Sequence, residues 1–307
     1  MESEFTVTEE AAGVRIDSHL AKMTGMARNQ VQNALDRKQV LINGRPAKSS
    51  HRLESGDRIE ILKEIVDMTV LPPLVPRPDL KLTVIHEDDD ILVVEKPPGM
   101  LMHPAKADDD FTLINAIVAR YPEIATVGES EWRPGIMQRL DKDASGLVAI
   151  ARNQKAYDHL KKQFQDHTIL KEYDALVEGE MSGDRGTVDL PIGRAKGSGR
   201  MSAHTQAADA DRPAITHYEV IGRPPKATRL TVRTETGRTH QIRVHMRSLG
   251  HPIVGDALYG RQNGLPSSRL CLHAKRLGFR HPKDNQWVEF ACEPPEWGKV
   301  AGKRTGG

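Results

Sequence analysis

The chain is poor in cysteine: its 307 residues include two, Cys271 and Cys292. Neither belongs to a Cys-x-x-Cys pair or a His-rich ligand spacing, which argues against structural zinc and against a secreted disulfide scaffold. Long apolar runs are also missing. None approaches the roughly 18 residues that a membrane span needs. The start, MESEFTVTEE, is acidic and lacks the basic head and apolar core of a signal peptide. A cytoplasmic protein with no membrane partner is the expectation. Net charge is nearly absent, formally +2, so the overall balance says little about partners. The length fits two domains, one with a sizeable core.

What the chain does have is an uneven charge distribution. From Arg15 to Lys63 there are ten basic residues against five acidic, and from Arg229 to Lys283 eleven basic against Glu235 and Asp256. Two basic stretches about an acidic middle point to a polyanion held at two places.

Residues 1–66 read as a small α+β module. Ile16, Leu20 and Met23 fall at helical spacing, and Val31 with Leu35 repeats the pattern after Gly25. Val40–Ile42 then reads as a strand, Asn43-Gly44 as a hairpin turn, and Arg58–Ile61 as a second, alternating strand. Arg28, Lys38 and Arg45 cluster where the second helix hands over to the strands. The prolines at 72, 73, 76 and 78 make residues 67–80 an extended, semi-rigid linker.

A larger domain is expected over residues 81–300. It opens with a hairpin, Leu82–Ile85 and Ile91–Val94, about the turn Asp88–Asp90. No Gly or bidentate Glu follows at calcium-loop spacing, so that turn reads as solvated. Lys96-Pro97-Pro98-Gly99 stops the strand, and Thr112 caps a helix running to Tyr121. Asn153–Phe164 reads as another helix and Lys171–Gly179 as a strand. Gly193–Arg212, rich in Gly, Ser and charge, reads as a mobile loop.

Two stretches carry candidate chemistry. In MQRLDKDASGLVAIA, Met137–Ala151, five apolar residues follow Gly146 and read as a buried strand. Asp141 therefore stands at the mouth of the core, where a carboxylate needs a cation or several N–H donors to stay ionised. Alone, an Asp ahead of a strand is more often a turn former bonding its own backbone. In TGRTHQIRVHMRSLGHPIVGDALYG, a turn at 235–239 leads into a helix with Ile242, Met246 and Leu249 on one face. His240, Arg243 and Arg247 line another. An Arg stripe is ordinarily a solvated face, but a helix starting at a tight Gly turn also aims its N–H groups, with Arg238, at an anion.

The segment Gln138–Leu147 resembles the motif HRLDxxTSGL of the ribosomal large-subunit pseudouridine synthases of types A, C and D. The Lys-Pro-x-Gly turn with His103-Pro104, the Lys-x-Tyr strand at Lys171–Tyr173, the Thr236–Gly260 string and the closing Leu272-His273-Ala274 resemble that family in order and spacing. Type D is the nearest overall match. Residues 14–63 look like an S4-type RNA-binding domain. The resemblance implies an α+β catalytic domain with a mixed, mostly antiparallel sheet and a central cleft. It implies isomerisation of uridine to pseudouridine in large-subunit (23S) ribosomal RNA by a monomer, with no metal or cofactor.

Asp141 would then be the catalytic carboxylate, acting as a nucleophile or as a base. Arg243 would pair with it, Tyr173 would lie against the uracil, and Arg139 would fill the gap left by the extracted base. Gln138, Arg238, His240 and Gln241 would bind substrate in the cleft, and Arg28, Lys38 and Arg45 would hold RNA on the first module. Gln138 and Ala144 depart from the family's His and Thr, which bears on RNA positioning. Transfer RNA as substrate, or a non-catalytic RNA-binding assembly factor on the same fold, are the alternatives. A small-molecule hydrolase lacks a nucleophile elbow or paired carboxylates to support it.

Overall fold

The computed structural model describes residues 3–24, 28–36, 38–62, 74–104, 109–195, 200–205 and 210–297. The chain divides into two compact units, residues 1–72 and 73–307.

In the first unit, α1 (Ile16–Thr24) and α2 (Arg28–Asp36) bury Ile16, Leu20, Val31 and Leu35 in one apolar cluster with the strands. The four strands are β1 (Ser3–Thr6), β2 (Val40–Ile42), β3 (Arg45–Pro46) and β4 (Arg58–Ile61), ordered β1-β4-β2-β3 and antiparallel throughout. Asn43 and Gly44 both take positive φ, as a two-residue hairpin turn requires. That turn joins β2 to short β3, while the other edge of β2 takes β4. β1 carries no signal that sequence reading used, and Met23, placed on the buried face by spacing, is exposed. Lys38 and Arg45 are exposed, and the side chain of Arg28 lies outside the described residues.

The second unit begins earlier than the expected boundary at residue 81. Residues 67–73 of the expected linker lie outside the described residues, and the remainder is fastened down. Asn115 Nδ2 donates to the Val75 carbonyl at 2.7 Å, Arg77 N–H donates to the Asn115 carbonyl at 3.0 Å, and Leu74 and Leu80 pack on the core. Asn115 is almost wholly buried and needs partners there, which the proline-bearing segment supplies.

Nine strands of this unit form one sheet: β5 (Thr83–Glu87), β6 (Ile91–Lys96), β7 (Ser145–Ala151), β8 (Leu170–Glu178), β9 (Arg185–Asp189), β12 (Ile215–Gly222), β13 (Ala227–Thr234), β14 (Leu272–Arg280) and β15 (Trp287–Ala291). The order is β5-β6-β7-β14-β8-β13-β12-β9, with β15 on the far half of β14. Every pairing in it is antiparallel except β7 with β14. The fold is α+β. Where a mobile loop was expected at Gly193–Arg212, β10 (Ile192–Arg194) and β11 (Met201–Ala203) pair as a hairpin; residues 196–199 and 206–209 lie outside the described residues.

The apolar run after Gly146 is continuous because β7 is buried on both faces. Val148 and Ile150 pack with Ile114 and Ile117 of α3 (Leu113–Arg120), while Leu147, Ala149 and Ala151 pack with Ala156 and Leu160 of α4 (Gln154–Gln165). Thr112 caps α3 and Asn153 caps α4, each accepting from a backbone N–H three residues on. Gly146 has φ +115°, and a Cβ there would lie 2.3 Å from the Ala274 carbonyl oxygen. Only glycine lets β14 approach the start of β7 this closely.

Candidate active site

A cavity of about 580 Å³ opens in the second unit. Its walls come from the segment 136–144 ahead of β7, from α4, from β8 and β13, and from the turn entering α5 (Gln241–Ser248). That volume lies within the range of small-molecule sites.

Asp141 sits in the turn leading into β7, with Ala144 N–H donating to its carbonyl. The turn-former reading is therefore correct for the backbone, but the carboxylate points elsewhere. Its Oδ2 accepts from Arg243 Nη1 at 2.9 Å. Arg243, on the first turn of α5, is buried, and its Nε and Nη2 donate to Asp256 at 2.8 Å each. Asp256 also accepts the backbone N–H groups of Leu258 and Tyr259. Burial alone would discourage the Arg243 charge, but the two carboxylates outweigh it and hold the guanidinium well above its ordinary pKa. Arg243 Cζ lies 5.1 Å from the centre of the Tyr259 ring, so the guanidinium is also backed by an aromatic face.

A second set of bonds holds the Asp141 turn from behind. Lys96 ends β6 with no exposed surface, and its Nζ donates to the carbonyls of Pro97, Met100 and Lys142 at 2.8, 2.8 and 2.9 Å. Gly99 N–H also donates to the Lys142 carbonyl. The Lys-Pro-Pro-Gly turn is thus tied directly to the residue after Asp141. Burial pushes the Lys96 ammonium down to about 7, against the pull of Asp141 and Asp143.

Tyr173, half-buried on β8, faces the same cavity. Burial and the Asp141 charge push its phenol up to about 12, while a hydrogen bond from the Thr234 side chain opposes them, so it keeps its proton at neutral pH. His240 takes φ +57° at the head of α5, with Nδ1 2.9 Å from the Tyr259 hydroxyl. The Tyr259 oxygen also accepts Met201 N–H at 3.1 Å. Burial also lowers the His240 pKa, favouring the neutral ring.

The sequence-predicted residues Gln138, Arg139, Asp141, Tyr173, Arg238, His240, Gln241 and Arg243 all line this cavity. Gln241 is also tied into the turn. It is buried, its Oε1 accepts from Thr236 Oγ1 and Arg238 N–H, and its Nε2 donates to the Ile215 carbonyl and Thr216 Oγ1. Both donors and both lone pairs are used within the protein, so it fixes the turn that enters α5. Gln138 donates to the Leu147 carbonyl at 3.0 Å, and its buried Oε1 has no partner. Arg247, the last of the predicted stripe, instead donates to the Tyr259 carbonyl.

Residues 90–248 match the RNA pseudouridylate synthase family. The chain belongs to that family. It is 37% identical to the ribosomal large subunit pseudouridine synthase D of Zymomonas mobilis, over 95% of this chain and 94% of that one. It is 37% identical to an RNA pseudouridine synthase of Bacillus subtilis over the same shares. Against the ribosomal large subunit pseudouridine synthase D of Haemophilus ducreyi the identity is 35%, over 96% and 92%. The solved structure of human RNA Pseudouridylate Synthase Domain Containing 1 aligns with 72% of this chain and 86% of its own, at TM-score 0.59 and 29% identity. The protein is an RNA pseudouridine synthase. Among the described residues no helix is long and apolar enough to cross a membrane.

Proposed function

We propose that Asp141 is the catalytic carboxylate and that the target uridines lie in large-subunit (23S) ribosomal RNA. The observation that carries the first part is charge. Asp141 is the one carboxylate among the described residues that line the cavity, against Arg139, Lys161, Lys171, Arg238 and Arg243. A cleft of that composition draws in a polyanion and presents a single acid to whatever nucleoside enters. The second part rests on the relatives from Zymomonas and Haemophilus, whose names specify the large ribosomal subunit.

The reaction breaks the C–N glycosidic bond, turns the uracil and rejoins it to the ribose through carbon. Asp141 serves it as a nucleophile or as a base. Arg243 fixes the carboxylate oxygen from one side, and its own plane is fixed by Asp256. Tyr173, protonated and beside Asp141, bears on the ring and limits its movement. Arg139, exposed at the rim, is placed to stack where the extracted base had been, offsetting part of the few kcal/mol that unstacking costs. We read the enzyme as a cytoplasmic monomer whose chemistry needs no metal or cofactor.

The first unit we read as an S4-type RNA-binding module that uses Arg28, Lys38 and Arg45. Its two helices, its four-stranded sheet and the exposure of Lys38 and Arg45 support that reading. Deleting residues 1–70 should weaken RNA affinity and flatten its salt dependence; unchanged affinity at every salt concentration refutes the module's role.

The deciding experiment maps pseudouridine in ribosomal and transfer RNA from cells carrying the wild-type gene, Asp141→Asn, or no gene. Sites in 23S RNA present only with the wild type are expected. Sites confined to transfer RNA would overturn the substrate assignment, and full modification by Asp141→Asn would overturn the role of Asp141.

A further inference from the structure

Lys171 and Arg238 line the same cavity from separate parts of the chain. Lys171, partly buried near the start of β8, donates from Nζ to the carbonyls of Glu235 and Thr236 at 3.2 and 3.4 Å. Arg238 lies two residues further along that same turn, its Nε donating to the Pro213 carbonyl at 2.9 Å. Gln241 holds the turn rigid through Thr236 Oγ1 and Arg238 N–H. Among the described residues neither cation has a carboxylate within ion-pair distance, and the cleft's one acid, Asp141, is already engaged by Arg243. Burial and the neighbouring Arg238 push the Lys171 ammonium down to about 8. Two cations held side by side on a rigid wall, with no anion between them, repel each other until one arrives.

We propose that Lys171 and Arg238 form a subsite for one phosphodiester of the RNA strand, adjoining the place of the target nucleoside. A planar guanidinium fork and a compact ammonium lining one cavity suit a tetrahedral anion. The proposal deepens the reading of the cleft as an RNA site and rests on it. Lys171 thereby acts on the strand next to the reacting nucleoside, not on the uracil itself.

The test is fluorescence anisotropy with a labelled oligouridylate, repeated over a series of salt concentrations. Lys171→Met and Arg238→Met should each weaken binding and flatten the plot of log affinity against log salt. Lys171→Arg should restore the wild-type slope, which a purely structural role for the Lys171 stem would not require. One shared phosphodiester predicts that the double variant loses about 0.7 of slope in total, the contribution of a single phosphate on a single strand. Slopes unchanged in both single variants overturn the subsite, and a combined loss near twice that value shows two separate phosphates and overturns the sharing. Should Lys171→Met fail to fold, Arg238→Met, in a solvent-facing turn, decides alone. Pseudouridine formation by the wild type is scored separately, so failure of the subsite and failure of the catalytic reading leave different records.

Discussion

Arg243 divides its donors between two carboxylates of unequal exposure. Asp256 takes two of them and is fully buried, while Asp141 takes one and keeps 21% of its side-chain surface open to the cleft. The buried partner fixes the plane of the guanidinium; the open one faces the cleft. Asp141 is therefore positioned through Asp256, a residue with no exposed side-chain surface.

Asp256→Asn should break this arrangement. Losing one partner of a buried pair costs about 3–5 kcal/mol, measurable by chemical denaturation. Among folded molecules the single-turnover rate should fall about a hundredfold, as misplacement by an ångström commonly does. RNA affinity should stay near wild type. A rate within a fewfold of wild type would show that Arg243 needs no such anchor.

Lys96→Met keeps the stem of the side chain and removes its three donors. The carbonyls of Pro97, Met100 and Lys142 would then be buried with fewer partners, a loss of about 3 kcal/mol or more. Because the Lys142 carbonyl belongs to the Asp141 turn, catalysis should fall with stability. Thermal melting and a single-turnover assay on the same preparation check both; wild-type melting would contradict the bonds described for Nζ.

Gly146→Ala meets two obstacles at once, a positive φ and the Ala274 backbone. The left-handed conformation alone costs about 1–3 kcal/mol, and the clash adds to it by prising β14 from β7. The variant should express poorly or unfold at markedly lower denaturant. An alanine variant as stable as wild type would mean that the two strands do not run this close.

Stability should depend on pH through buried histidines. His273 has no exposed surface, bonds Ser145 Oγ at 2.8 Å, and is pushed down to about 4 by burial and Arg269. Between that value and the ordinary 6.5 the unfolded chain binds a proton that the folded chain refuses. Stability therefore falls as pH drops from 6.5 towards 4, by roughly 1.4 kcal/mol per pH unit for one proton at full effect. His273→Asn should make this limb shallower, with His103 and His245, also lowered by burial, sustaining the rest. Denaturation midpoints across that window give the slope directly, and an unchanged slope would place the effect elsewhere.

Much of this was legible in the chain itself, for local reasons. The run Leu147–Ala151 reads as a buried strand, Thr112 as a helix start, and Asn43-Gly44 as a hairpin turn. Ile242 and Met246 marked the buried face of α5, although Leu249 in the same series is exposed. What stayed hidden depends on distant pairing. Asp256 was visible only as one of two acids among eleven basic residues, and that isolation was the available sign of a buried counter-ion. Lys96 looked like a turn residue because nothing local tells that its ammonium points inward. That all four hydrogen-bonding positions of Gln241 are spent within the protein is likewise invisible in the sequence, because its partners at 215 and 216 lie far back in the chain. The Gly193–Arg212 stretch hid a hairpin because short strands rich in Gly and charge carry almost no apolar alternation.

The parallel seam between β7 and β14 has a consequence in time. Ser145 pairs with His273, and their side chains bond across a separation of 128 positions. Leu272 of the same late strand also walls the cleft. A nascent chain that has not yet released β14 holds the aspartate, the tyrosine and the arginine but has no finished pocket to gather them. Such long-range closure is slow and comes late in folding, so the cleft is completed only once β14, near the end of the chain, has paired with β7.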